Sequence, residues 1–216
     1  MLVHIDDGPD PPQDKGALTS AARQWRSRRS ARAETAITPG FVPKLAAMGD
    51  FDSLYASLSK DPRIRGMQFE EICKWFFEND PVYEHELKTV WLWNDWPGRW
   101  GGDAGIDLVA EDRNGGLWAI QAKAYDPKYR VSKKDVDKFL AESGRRVFAY
   151  RMLIATTDLI DRTGERTIQQ QEKRSSFFRL NDLRAASVDW PTTPAQLRPK
   201  KRRKPAKPRP HQQDAI

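Results

Sequence analysis

Residues 105–125, GIDLVAEDRNGGLWAIQAKAY, decide how this chain folds. The two halves are rich in apolar residues, and Arg113-Asn114-Gly115-Gly116 lies between them. An Asn-Gly pair accepts the positive φ of a tight hairpin turn, so the stretch reads as two antiparallel strands, 105–112 and 117–125. Side chains alternate across a strand. Gln121 and Lys123, at i and i+2, therefore share one face about 6.5–7 Å apart. Asp107 lies one strand away, across the turn. If the pairing turns it to the same side, a carboxylate, an amide and an amine converge on an otherwise apolar sheet.

Upstream, LKTVWLW (87–93) reads as a strand, with Trp91 and Trp93 on one face. GMQFEEICKWFFEND (66–80) places Phe69, Ile72, Cys73, Phe76 and Phe77 on one side of a helix. FDSLYASL (51–58) has helical spacing too, so the ordered domain is expected to begin near Phe51. Downstream, SKKDVDKFLAES (132–143) reads as a helix capped by Ser132, with Val136, Phe139 and Leu140 turned inward. Residues 151–160 are apolar nearly throughout, as a strand covered on both faces would be. Residues 163–175 then read as helix, FFRL (177–180) as a short strand, and Trp190 as the end of the domain. The order α–β–β–β–α–β predicts an α/β fold, a central mixed sheet flanked by helices.

The 216 residues carry a formal net charge of +7, unevenly placed. The stretch 198–210 (RPKKRRKPAKPRP) holds eight basic residues and no acid. A second basic knot, Arg23, Arg26, Arg28, Arg29 and Arg32, precedes the body. Residues 33–197 hold 23 basic and 25 acidic residues, so the body itself is near neutral. The flanks read either as solvated linkers or as non-specific phosphate contacts, whose affinity comes from counterion release. Three segments result: 1–47, a disordered basic N-terminal region; 48–191, the folded domain; and 192–216, a basic Pro/Lys/Arg linker. No apolar run reaches the ~18–20 residues of a membrane span, no signal-peptide pattern opens the chain, and a cytoplasmic protein is expected. One cysteine, Cys73, excludes an internal disulfide framework and reads as a buried thiol.

The hairpin carries the chemistry. A carboxylate and an amide oxygen can hold a hard divalent cation such as Mg²⁺, and a neighbouring lysine can orient water and stabilise phosphoryl charge. The same three residue types also occur on plain solvent-facing strands. Gly105 adds a hint of close backbone approach.

Three strings, Gly66-x-x-Phe69-Glu70, Gly105-Ile106-Asp107-Leu108 and Ala119-Ile120-Gln121-Ala122-Lys123, resemble the Mrr-like branch of the PD-(D/E)XK nucleases, where Gln commonly replaces the second acid. The longer run 90–125, VWLWNDWPGRWGGDAGIDLVAEDRNGGLWAIQAKAY, is similar to the N-terminal nuclease domain of type ISP restriction enzymes and related predicted superfamily 2 helicases. The resemblance implies a restriction-endonuclease-like core and Mg²⁺-dependent endonucleolytic cleavage of double-stranded DNA, with Mn²⁺ as a substitute. It assigns the metal to Asp107, Gln121 and the carbonyl of Ala122, water activation to Lys123, and a supporting acid to Glu70 rather than its neighbour Glu71. Asp103 stands close by as an assisting acid or a plain loop carboxylate. The alternative is a non-catalytic DNA-binding or docking module, expected if the sheet holds these groups apart.

Six of the eight tryptophans fall between residues 75 and 118. Most read as core, while Trp96 and Trp100, in the loop DWPGRWGGD, are candidates to touch DNA. Lys128, Arg130, Lys133, Lys134 and Lys138 follow the Gln121/Lys123 strand, and Lys133 and Lys134 are candidate phosphate contacts. His85, between Glu84 and Glu86, reads as part of a surface turn. Finally, Pro210–Ile216 resembles the motif that opens superfamily 2 helicase motors, in which Gln212 would read the adenine of ATP. That resemblance implies an N-terminal piece of a nuclease–helicase. ATP would act only through helicase domains outside the sequence, and methyltransferase or target-recognition modules would join in the same chain or in trans.

Overall fold

Alternating strand faces, each matched to an amphipathic helix, build the molecule in three layers. A computed structural model describes residues 49–102 and 105–198. The tails and Asp103 lie outside the described residues, as does Gln212. Three helices come first: α1 (Phe51–Ala56), α2 (Pro62–Asn79) and α3 (Pro81–Glu86). Then follow β1 (Leu87–Leu92), β2 (Leu108–Asp112), β3 (Leu117–Lys123), α4 (Lys133–Ser143), β4 (Phe148–Ala155), α5 (Arg162–Gln169), β5 (Ser175–Phe178) and α6 (Leu180–Arg184). The strands lie side by side in the order β1-β2-β3-β4-β5. The first two pairings are antiparallel and the last two parallel, a mixed sheet.

The hairpin forms as its turn chemistry dictates. Gly115 has φ +84°, and Asp112 Oδ1 accepts the N–H groups of Asn114 and Gly116 at 2.8 Å each. Glu111 pairs with Leu117, and Leu108 with Ile120. Period-2 alternation then sorts the side chains. Leu108, Ala110, Trp118, Ile120, Met152 and Ile154 join Phe69, Ile72, Phe76 and Phe77 of α2 in one buried cluster. Val109, Ala119, Leu153 and Ala155 join Val136 and Phe139 of α4 in the other. Each fully buried Phe or Leu contributes about 1.5–3 kcal/mol of transfer free energy. Phe76 is the hub of the first cluster, with ring centres 5.3–5.6 Å from those of Phe77, Tyr83, Phe178 and Trp190.

Helix ends follow the expected capping chemistry. Asp61 accepts from Arg63 and Ile64 N–H at the start of α2, and Asp80 from Val82 and Tyr83 N–H at the start of α3. At α4, Ser132 and Asp135 form a reciprocal capping box.

Several boundaries differ from the sequence expectation. The strand expected from Gly105 begins at Leu108, because Gly105 takes φ +63° and turns the chain just before Asp107. The strand expected at 117–125 stops at Lys123. The helix expected over 163–175 stops at Gln169, and Ser175–Phe178 forms β5, so Leu180 opens a helix instead of ending a strand. The strand expected at 151–160 runs from Phe148 to Ala155. His85 lies in the last turn of α3.

Candidate active site

Asp107 is held at the edge of the sheet by its backbone. Its N–H donates to Ile120 O at 2.9 Å, and its carbonyl accepts from Trp93 N–H at 2.8 Å. The residue thus stays in register with β3 although the formal strand starts one residue later. Its side chain turns toward β3, where Oδ2 accepts the Ala122 N–H at 2.7 Å. The β2–β3 pairing ends at Leu108 and Ile120. The Asp107 carboxylate therefore occupies the place a next ladder partner would take. In a strand the N–H and C=O of one residue point to the same side, so the Ala122 carbonyl faces the Asp107 side as well.

Gln121 sits deeper. It is 2% exposed, and its Nε2 donates to the Gly105 carbonyl at 2.8 Å. That bond closes the turn made by the positive φ of Gly105 and fixes the amide with its oxygen pointing elsewhere. Gln121 Oε1 is buried and has no hydrogen-bond partner. An orphaned buried acceptor costs about 1–3 kcal/mol, a cost that a cation or a water on Oε1 would relieve. A divalent cation with oxygen ligands fits this donor set: the Asp107 carboxylate, the Gln121 amide oxygen and the Ala122 carbonyl. Among the described residues no group of three His, Cys, Asp or Glu side chains could hold a metal.

Glu70 and Cys73 are one turn apart on α2, and Glu70 is half-buried whereas Glu71 is exposed. Burial pushes the Cys73 thiol well up, and the Asp107 and Glu70 carboxylates push it the same way. Cys73 itself is fully buried, as its helix position predicts.

Lys123, half-buried, ends β3, where its carbonyl accepts from Thr156 N–H at 3.0 Å. Its charge helps to hold the Asp135 carboxyl down. Burial alone would raise that group, but the hydroxyl and N–H of Ser132 and the Tyr125 hydroxyl, with Lys123 beside it, lower it overall.

The remaining candidates divide. Lys133 is exposed but pairs with Asp137, while its backbone N–H donates to Asp161 at 3.1 Å. Lys134 is exposed, with no ion pair among the described residues. Trp96 is a correction: expected at a DNA surface, it is 6% exposed, because its loop folds back onto β4. Its ring centre lies 5.5 Å from that of Trp93 and 5.8 Å from those of Trp100 and Phe148. Trp100 is partly buried, with the Arg145 guanidinium 4.0 Å over its ring. In the sequence Lys138 is one of a basic run. Its stem in fact crosses Gly105, with Cε 3.5 Å from where a Gly105 Cβ would stand and Gln121 Nε2 3.7 Å from the same point.

Residues 78–199 match the model of a protein family described as restriction endonuclease. Among solved structures, the ATP-dependent type ISP restriction-modification enzyme LlaBIII, bound to DNA, aligns at 34% identity with a TM-score of 0.53. The alignment covers 69% of this chain and 10% of that enzyme, so this chain spans about a tenth of its length. The restriction endonuclease MspJI, in complex with an oligonucleotide, aligns at 20% identity with a TM-score of 0.39, over 55% of this chain and 26% of its own. The DNA modification-dependent restriction endonuclease AspBHI aligns at 17% and 0.41, over 82% and 46%. No curated protein matches the sequence.

Proposed function

Because the chain belongs to the restriction endonuclease family, we propose that it is the nuclease domain of a restriction enzyme and hydrolyses DNA phosphodiester bonds with Mg²⁺ at Asp107, Gln121 and the Ala122 carbonyl, beside Lys123. The observation that carries this reading is the orphaned Oε1 of buried Gln121, beside a carboxylate held by the backbone of the same strand. Asp107, Gln121 Oε1 and the Ala122 carbonyl hold the cation, with Glu70 supporting from α2. Bound there, Mg²⁺ supplies Lewis-acid polarisation of the phosphoryl group and lowers the pKa of a bound water, and Mn²⁺ can take its place. Lys123 orients the attacking water and offsets charge that builds up on the phosphoryl oxygens. The Ala122 N–H keeps Asp107 in one rotamer, and the Gly105 carbonyl keeps the amide of Gln121 from flipping.

Double-stranded DNA is the substrate we propose, and residues 48–191 the catalytic domain. LlaBIII, a far longer chain, is an ATP-dependent restriction-modification enzyme bound to DNA. By that likeness we propose that this domain works with helicase and methyltransferase or target-recognition modules, in one chain or in trans, and in the cytoplasm. No helix among the described residues is long and apolar enough to cross a membrane. A docking module without catalysis has less support, since Asp107 and Gln121 converge on one end of β3.

The test is cleavage of supercoiled plasmid in Mg²⁺, Mn²⁺ or EDTA by the wild type, Asp107→Ala and Lys123→Ala. Nicking by the wild type in either metal, lost in EDTA and reduced about 10²–10³-fold in both variants, is the expected result. Equal nicking by all three proteins overturns the assignment.

A further inference from the structure

Gly105 turns the chain with φ +63° and has no side chain of its own over its Cα. That space is spanned from another element. Lys138 lies on the flank of α4, one turn after Asp135, and its aliphatic stem crosses the Gly105 turn. Cγ and Cε lie 4.0 and 3.5 Å from a Gly105 Cβ position, and the Gln121 amide nitrogen lies 3.7 Å from the same point. The ammonium is one bond beyond this Cε, close to the Gly105 turn and the Gln121 amide. The residue is exposed, and no carboxylate among the described residues forms an ion pair with it. Two of its neighbours differ, whereas Lys134 is likewise exposed without an ion pair among the described residues. Lys133 pairs with Asp137, and Arg130 is tied to Asp161 and the Ile160 carbonyl.

We infer that Lys138 is a phosphate-binding residue of the DNA site, its ammonium contacting a backbone phosphate beside the scissile one. The inference rests on the cleavage site proposed above and adds to it a contact made by α4. An exposed lysine with an apolar stem held against backbone presents a positioned point charge, which suits a phosphate oxygen. The cations on β3 and α4 then divide the work. Lys123 acts at the reacting group, and Lys138 holds the strand in register across the turn. A contact of this kind positions DNA without reading its sequence.

The experiment measures binding of a fluorescent 20-base-pair duplex of mixed sequence to the full chain as a function of KCl, in EDTA. Wild type, Lys138→Ala, Lys138→Gln and Lys138→Arg are compared, each first checked for an unchanged thermal melt. Each neutralised phosphate contributes about 0.9 to the slope of log K against log[salt]. Lys138→Ala and Lys138→Gln are expected to lower the slope by about that amount and to weaken binding several-fold, while Lys138→Arg keeps both. In the plasmid assay, KM rises more than kcat falls. A slope and affinity equal to wild type in Lys138→Ala overturns the inference, as does an equal loss in Lys138→Arg. The two readings fail separately. Wild-type nicking by Asp107→Ala removes the cleavage site and leaves a lost Lys138 slope standing. An unchanged Lys138→Ala slope with an inactive Asp107→Ala removes only the phosphate contact.

Discussion

Replacing Gln121 by Leu separates a ligand from a structural amide. In the folded chain Gln121 makes one hydrogen bond, Nε2 to the Gly105 carbonyl at 2.8 Å, and leaves Oε1 buried without a partner. Leucine removes both polar atoms and keeps most of the volume. Losing the bond strands the Gly105 carbonyl, a cost of about 1–3 kcal/mol, while removing the orphaned oxygen returns a similar amount. The two nearly cancel, so without metal Gln121→Leu should melt within about 4 °C of wild type, roughly 1 kcal/mol for a domain of this size. The metal response should differ sharply. A cation at ten times its dissociation constant stabilises the folded state by about 1.4 kcal/mol, an upward shift of about 3–6 °C. Differential scanning fluorimetry across a Mg²⁺ and Mn²⁺ titration reads both numbers. Wild type should show the rise and Gln121→Leu should not. A full rise in the variant would refute the assignment of Oε1 as a ligand. A metal-free loss of more than about 3 kcal/mol would show that the amide is structural and the orphan costs nothing.

Other perturbations test the frame around the site. Asp80 is 3% exposed, and burial raises its carboxyl against the pull of the Val82 and Tyr83 N–H groups. A folded pKa above the unfolded one means that the native state binds more protons in that interval, so this group's contribution to stability falls as pH rises through it. Asp80→Asn keeps the cap and loses the buried charge. Its melting temperature should therefore exceed wild type most near pH 7, with the gap closing toward pH 4, whereas Asp80→Ala should lose about 1 kcal/mol at neutral pH. Phe76→Ala empties the centre of the α2-side cluster and should cost about 3–5 kcal/mol, a fall in Tm of roughly 10 °C by calorimetry. Cys73, fully buried with its thiol pushed up, should not react with an aromatic disulfide reagent in the native protein and should react stoichiometrically in denaturant.

How much the sequence disclosed depended on the length scale of the signal. Period-2 alternation correctly set Gln121 and Lys123 on one face of β3, and the Asn-Gly pair fixed the hairpin register that brings Asp107 to Ala122. Helical spacing sorted Phe69, Ile72, Cys73, Phe76 and Phe77 onto the buried side of α2, and Ser132 marked the start of α4. What local patterns hid is tertiary. The left-handed turn at Gly105 interrupts an otherwise strand-like string, and alternation cannot show it. Trp96 sits among Gly, Pro, Asp and Arg, which reads as an exposed loop, yet the loop returns to Phe148 and buries the ring. Lys138 looked like its basic neighbours because only the crossing of α4 over Gly105 distinguishes it. The end of α5 at Gln169 was missed because residues 170–174 are all polar and carry no breaker.

Diffraction from crystals of the chain with a short DNA duplex and Mn²⁺, recorded for anomalous scattering, tests the central claim most directly. The account predicts a peak coordinated by the Asp107 carboxylate, Gln121 Oε1 and the Ala122 carbonyl, close to the ~2.0–2.1 Å of Mg²⁺–oxygen bonds, with Lys123 facing the nearest phosphate. A Mn²⁺ peak held by other residues, with Gln121 Oε1 still without a ligand, would contradict it.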